Sequence, residues 1–545
     1  MRPRARFDGV QLALYQGLFA ACAEEMGIAL MRTAHSPNIK ERLDHSCAVF
    51  DGRGALVAQA AHIPVHLGSL PRAVEAALAL GPLRPGDTVI LNDPFAGGTH
   101  LPDVTLVTPV FLDAPARSAR APLAPDFLVA SRAHHADIGG GAPGSMPLAR
   151  EVYEEGLRVP PVFLQREGRV ERDVLALLLA NVRTPEERRA DLAAQLGAQA
   201  TGARRLAEYA RRIGARGRGA AELQAAARAL MNHAERVVRA QLSRLPRGRW
   251  SFADALDDDG LGSGPVRITA ALTLAPGRAR LDFTGSSPQV QGPVNAVEPV
   301  TRAACSYALR CVLGGAWPVN AGAFRPLEVV APAGTVVNAR PPAAVSAGNV
   351  ETSQRIVDVV LGAFARALPG RVPAASAGTM NNLLVGGADP ARGGEAFAYY
   401  ETLGGGHGAG PGWDGASAMQ VHMTNTRNTP IEALEHAYPL RVRETRIRRG
   451  SGGRGRFRGG NGIVRSLELL VPARVTLITE RRSRGPYGLA GGARGRPGVN
   501  RVRARPGGAA RRLPGKTQID LGAGAVISVA SPGGGGYGRP DPRRP

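Results

Sequence analysis

The first thirty residues place apolar side chains at helical spacing. Tyr15, Leu18, Phe19, Cys22, Met26 and Leu30 recur every three or four positions, as on a helix that buries one face. MRPRAR followed by an apolar run imitates a secretory leader. However, Asp8, Gln11 and Gln16 interrupt the run, and the periodicity continues past any cleavage point. The pattern predicts an amphipathic helix over 8–34. From 43 to 145 the period shortens. SCAVFDGRGALVAQA reads as a hairpin about a DGRG turn, and DTVILNDPF as an apolar strand entering a Gly/Pro-rich loop. VTLVTPVFLD and PDFLVASRAHHADIGG read as a second hairpin, separated by a Pro/Ala/Arg-rich insertion at 114–124 expected to be a mobile surface segment.

Helical spacing then returns. Thr184-Pro185-Glu186-Glu187 has the composition of a capping box with proline at the first helical position, opening a helix to about Arg212. A second helix from near Ala220 carries Leu223, Leu230, Val238 and Leu242 on one face, and the two are read as an antiparallel pair. VRITAALTLAPGRARLDFTGS predicts a hairpin, 301–315 and 351–368 predict helices, and NGIVRSLELLVPARVTLITE predicts another hairpin. The chain ends in SPGGGGYGRP, whose glycines suggest a tight, backbone-driven conformation. The fold class is mixed α+β: several antiparallel β hairpins and sheets with a long helical-pair insertion, in a multi-unit single chain. The expected divisions are 1–150, a helical region 151–260, a mixed α/β region with Gly-rich loops 261–480, and a Gly/Arg-rich segment 481–545.

Composition changes this picture in three places. At 545 residues with 44% hydrophobic content the chain has material for two to four packed units. The formal charge of +23 invites a nucleic-acid reading, but only Lys40 and Lys516 are lysines, a bias that points to codon usage. Aromatics are 5%, and no basic stretch interleaves them as a single-strand platform requires. Nucleic acid is therefore set aside, though a basic surface still suits anionic substrates or an acidic partner. Cys22, Cys47, Cys305 and Cys311 form no CxxC pair, which fits a reducing, cytoplasmic setting, and no apolar run is long enough to span a membrane.

The concentrated chemistry lies between Arg32 and Gly140. That stretch contains seven of the eleven histidines: RTAHSPNIKERLDHSC, HIPVH, NDPFAGGTHLPD and SRAHHADIGGG. Imidazole and carboxylate together suit a divalent ion of the zinc, manganese or iron kind. The candidate ligands are Asp44, the His100/Asp103 pair in an H-x-x-D turn, and one of His134 and His135, since neighbours on a strand point to opposite faces. The other histidine is a candidate for orienting a ligand or moving a proton. The competing reading makes these residues loop hydrogen-bonders and caps. GGGHGAGPGWDG, with His407, offers many backbone N–H groups to an anion. SAGNVETSQ, with Asn349 and Glu351, offers substrate-binding groups or helix caps.

EEMGIALMRTAHSPNIKERLDHSCAVFD, AAHIPVHLGSLP, NDPFAGGTHLPDVTLVTPVF, RAHHADIGG, SAGNVETSQRIVD, HMTNTRNTPIEALE and the final SPGGGGYG together resemble the hydantoinase B/5-oxoprolinase family over residues 8 to 538. The resemblance implies the B subunit of an ATP-dependent cyclic amidohydrolase for hydantoin, 5-oxoproline or another lactam. In such enzymes a separate A-type ATPase subunit binds ATP and phosphorylates the substrate. The family's ligand set falls on Asp44, His100, Asp103 and His134; for the hydrolytic step, His135 and Asp93 are the candidates to accept the proton. A second implied reading is a subunit of an ATP-dependent ketone carboxylase. Outside the resemblance, a scaffold or basic binding subunit without chemistry remains the alternative. The absence of an ATPase half and of a GK[ST] phosphate loop leads to the expectation of a hetero-oligomeric subunit.

Overall fold

The first helix, Gly9–Thr33, starts at a formed capping box: Asp8 accepts from the Gln11 backbone N–H, and the Gln11 side chain accepts from Asp8 N–H. The computed structural model describes residues 7–540 apart from 61, 67, 113–123, 214–217 and 316. All of the 114–124 insertion except Ala124 therefore lies outside the described residues.

The helix covers a seven-stranded sheet built from β1 (His45–Asp51), β2 (Leu56–Gln59), β3 (Thr88–Leu91), β4 (Asp103–Val110), β5 (Phe127–His134), β6 (Val162–Arg166) and β7 (Arg169–Val170). The strand order is β2-β1-β5-β4-β3-β6-β7, antiparallel throughout. Both predicted hairpins are present, as β1–β2 and β4–β5. The sheet is apolar on both faces because both are covered. Cys47, Val49, Phe127 and Val129 meet the first helix and the long helices Pro185–Ile213 and Gly219–Ser243. Phe50, Val107, Leu128 and Ala130 meet the short helix Leu70–Leu78. The region 151–260 thus gives two strands and both long helices to the layers of this sheet. The predicted capping box at Thr184 is not formed: Thr184 Oγ1 makes no hydrogen bond, and Glu187 turns to Arg188.

A second sheet has the strands Leu327–Val330, Arg278–Asp282, Val266–Ala275 and Gly248–Leu256 in that order, the first pair parallel. The helices Glu298–Leu313 and Ser353–Ala367 pack into its core. A third sheet (Glu395–Glu401, Asn382–Asp389, Ala473–Ile478, Lys516–Leu521) and a fourth (Leu440–Arg448, Gly462–Leu469, Val526–Ala530, Val499–Arg503, Arg511–Leu513) share one apolar core. This is a β-sandwich. It corrects the sequence reading of 461–480 as a hairpin: Gly462–Leu469 and Ala473–Ile478 alternate as expected but belong to different sheets. Both strands bury alternate residues in the same core, a pattern that a hairpin and a crossing between layers share. Buried ion pairs tie the second sheet to the sandwich: Arg355 lies 3.0 Å from Asp254 and 3.2 Å from Glu480, and Arg481 lies 2.8 Å from Asp254.

Candidate metal centre

Strand register brings the chemistry together. Asp103 lies opposite His134 across β4–β5, and His45 lies opposite Ala133 across β1–β5. Asp44, one residue before β1, continues that register, and its carbonyl accepts from His134 N–H at 3.0 Å. Cross-strand partners project to the same face, so Asp44, His134 and Asp103 stand abreast at the end of three neighbouring strands. The turn before β4 is closed by Asp103 N–H donating to the His100 carbonyl at 3.1 Å, which folds His100 back over the row.

His100, Asp103 and His134 each offer a ligand atom, and those atoms lie within 4.8 Å of one another. His100 Nε2 is 3.1 Å and His134 Nδ1 3.5 Å from Asp103 Oδ1. All three residues are at most 2% exposed. Burial pushes the Asp103 carboxyl up, but His100, His66 and His134 outweigh burial and hold it well below the usual carboxylate range. Burial lowers His134, keeping its imidazole neutral and able to ligate. The donor set fits a divalent ion on a further count: Nε2 of His134 is buried without a hydrogen bond, and Nε2 of His100, although 3.1 Å from Asp103 Oδ1, is not aligned to form one, a costly arrangement unless something else engages them. His100 Nδ1 faces the Ser346 carbonyl at 3.3 Å, the contact that commonly fixes the tautomer of a ligating imidazole.

The other predicted residues divide by position. Asp44 shares the row, but its carboxylate is outside the 4.8 Å group and faces Arg42 Nη2 at 4.0 Å. His135 projects to the opposite face, where Nε2 meets Gln195 Oε1 at 2.9 Å beside Arg188 and Asp191, and burial pushes it down to about 4. Asp93 caps the turn Pro94–Ala96 by accepting from Phe95 N–H and lies 3.6 Å from Arg158. Neither is brought to the cluster. Asn349 and Glu351 sit on the one-turn π-helix Gly348–Thr352, a distortion frequent at functional sites. Asn349 Nδ2 donates to Asp103 Oδ2 at 3.3 Å. Glu351 accepts from Met380 N–H and Asn382 Nδ2, and burial with the nearby Glu480 pushes it up to about 8. His407 Nε2 meets the Gln420 carbonyl among the glycine-rich loops, without contact to the cluster.

Sequence reasoning missed two participants. His66, in the HIPVH segment, places Nε2 3.4 Å from Asp103 Oδ2 and Nδ1 2.8 Å from Ser46 Oγ. It was visible as part of the histidine concentration, but nothing in its spacing set it apart. Tyr400 had no local signal. It comes from the sandwich, and its ring lies between the Arg42 guanidinium at 4.5 Å and the His134 imidazole at 4.7 Å, the two rings 23° from parallel. Its hydroxyl donates to Asn382 Oδ1 at 2.9 Å, continuing to Glu351.

A mixed α+β chain with a buried His/Asp group at the end of an antiparallel sheet is the class defined by this geometry. The chain belongs to the hydantoinase B/oxoprolinase family, whose profile matches residues 8–540. It is 39% identical to 5-oxoprolinase 1 of Arabidopsis thaliana over 97% of its own length, but it spans only 42% of that relative. Its fold is similar to the crystal structure of ATP-dependent caprolactamase from Pseudomonas jessenii (TM-score 0.88, 30% identity, 98% of this chain and 91% of that one). A nucleotide-free acetone carboxylase shares the fold (TM-score 0.86, 18% identity, 97% of this chain and 76% of that one). Among the described residues, no helix is long and apolar enough to cross a membrane.

Proposed function

We propose that this chain is the metal-bearing subunit of an ATP-dependent cyclic amidohydrolase. It would act on a hydantoin, 5-oxoproline or another lactam after an ATPase partner of the A type has phosphorylated the ring amide oxygen. The observation that carries the reading is the buried group of His100, Asp103 and His134 with two imidazole nitrogens left unbonded. Likeness to an ATP-dependent caprolactamase supports the substrate class, and membership of the hydantoinase B/oxoprolinase family supports the B-type role.

An amide resists water because resonance spreads its nitrogen lone pair onto the carbonyl, and phosphorylating the oxygen removes that protection. His100, Asp103 and His134 would hold the ion, with Asp44 beside them in the row. Such an ion supplies Lewis-acid charge and lowers the pKa of a bound water. Ser346 and Asn349 fix the orientations of His100 and Asp103. His66 is on the cluster's side and is the group placed to take and return a proton, in place of His135 and Asp93. Turnover of a panel of lactams and hydantoins by this chain with its ATPase partner and ATP, alongside metal analysis, tests the reading. Ring opening that needs ATP and about one ion per chain is expected. A fully active complex with no bound metal overturns it.

A further inference from the structure

On the outer face of the fourth sheet, register sets Glu444, Ser466, Ser528 and Arg501 in one row, and Arg446, Val464, Ala530 and Val499 in the next. Residues two apart on a strand share a face, so Arg446 with Arg448 and Arg501 with Arg503 line up on the two strands flanking the central pair. The central strands carry short side chains. The result is a trough of about 310 Å3 with a valine, serine and alanine floor and guanidinium walls. That volume is at the lower end of small-ligand sites.

A chain this rich in arginine has basic surface in many places, but here three arginines, Arg448, Arg501 and Arg503, have no carboxylate partner among the described residues. Arg441 and Arg443 are paired with Glu468, and Arg474 with Asp520. Of the trough's arginines, only Arg446 has a carboxylate partner among the described residues, Glu444. Arg448 is half-buried and held in place by donating to the carbonyls of Pro497 at 2.8 Å and Ser531 at 3.0 Å. Burial, and then the guanidinium groups of Arg496 and Arg501, lower its pKa. Like charges gathered this closely repel, and a bound anion relieves the repulsion.

We propose that this trough binds a small phosphate-class oxyanion, held between Arg448 and Arg501, with Arg503 farther along the same wall. The guanidinium fork matches phosphate oxygens in geometry as well as charge, and the site is independent of the metal centre. The test is calorimetric titration of the full chain with sodium pyrophosphate at about 150 mM salt, where long-range attraction is screened. One saturable site per chain is expected. Arg501→Ser with Arg503→Ser should weaken it at least about tenfold without changing the melting temperature of the unliganded protein. Arg249→Ser with Arg278→Ser, exposed arginines on the second sheet, removes the same charge and should leave binding intact. ADP binding tighter than pyrophosphate, and lost in the same trough variant, identifies a nucleotide as the source of the phosphate. Unchanged binding in the trough variant, equal weakening by the control pair, or tighter binding of hexaglutamate than of pyrophosphate overturns the proposal.

Discussion

The row at the end of β1, β4 and β5 and the glycine stack around Gly534 are both buried, but they are held by opposite means. In the first, side chains do the work. His100, Asp103 and His134 converge because register and one tight turn present them to a common point, and His66 joins them from the short turn Pro64–His66. In the second, side chains are excluded. Gly534 N–H donates to the Gly460 carbonyl, Gly460 N–H to the His407 carbonyl, and Gly535 N–H to the Ala375 carbonyl. A Cβ at Gly534 would collide with the His407 carbonyl, and one at Gly460 with that of Ala416. Backbone segments pack this closely only where nothing protrudes, and each buried N–H then finds a carbonyl. One region depends on the functional groups it presents; the other tolerates no added atom.

The sharpest break comes from His100→Ala. Removing one of the clustered donors should eliminate metal binding and reduce ring opening in the reconstituted complex by about a thousandfold or more, with folding intact by melting curve. Near-normal turnover by a folded, metal-depleted variant would leave the cluster structural. Gly534→Val should do the reverse, lowering stability by about 3 kcal/mol or more in a region that bears no ligand. A melting temperature within a degree or two of the parent chain would contradict the packing argument.

These two regions were unequally legible in the sequence. The residues of the candidate metal site announced themselves through histidine and aspartate concentrated in one stretch, and period-two strands put them on loops and strand ends. The face on which each falls needed pairing register, which is why His134 and His135 stayed open until the family resemblance. Tyr400 was invisible because it arrives from a sandwich that folds hundreds of residues later. SPGGGGYG read correctly as constrained, but its partners at His407, Gly460 and Ala375 follow from no periodicity. Gly462–Leu469 and Ala473–Ile478 were mispaired for the same reason: alternation reports which face is buried, never which strand lies alongside.

Behind Tyr400 lies a buried carboxyl. Glu351 reaches from the π-helix to Asn382 at the head of its strand, and its pKa is raised from 4.5 to about 8. A carboxyl with a raised folded pKa keeps more protons folded than unfolded, so its contribution is full below about pH 4.5 and is lost as pH rises towards 8. Glu351→Gln mimics the neutral acid. The variant should therefore gain melting temperature on the parent steadily between pH 5 and 8, and a constant difference across that range would show that Glu351 ionises normally. Tyr400→Leu should cost less. The hydrophobic volume is largely kept, but the flat surface against His134 is lost, and metal affinity should fall about tenfold, as when groups that orient a ligand are removed. Competition with a chromogenic chelator measures this on the unreconstituted chain, and unchanged affinity would make Tyr400 a packing residue alone.

His135→Asn should have the smallest effect and separates the two faces of the sheet most finely. The residue is adjacent in sequence to His134 but projects to the opposite side, bonded to Gln195 beside Arg188 and Asp191. If the proton acceptor were His135, the substitution would cut ring opening severely at constant metal content. If the side chain only satisfies Gln195 beneath the sheet, asparagine retains part of the bond. Stability should then fall by about 1 kcal/mol, with metal content and pH–rate profile unchanged. His66→Gln, on the cluster's own face, should shift that profile. The two variants measured side by side therefore decide whether proton transfer belongs to the upper or the lower face of β5.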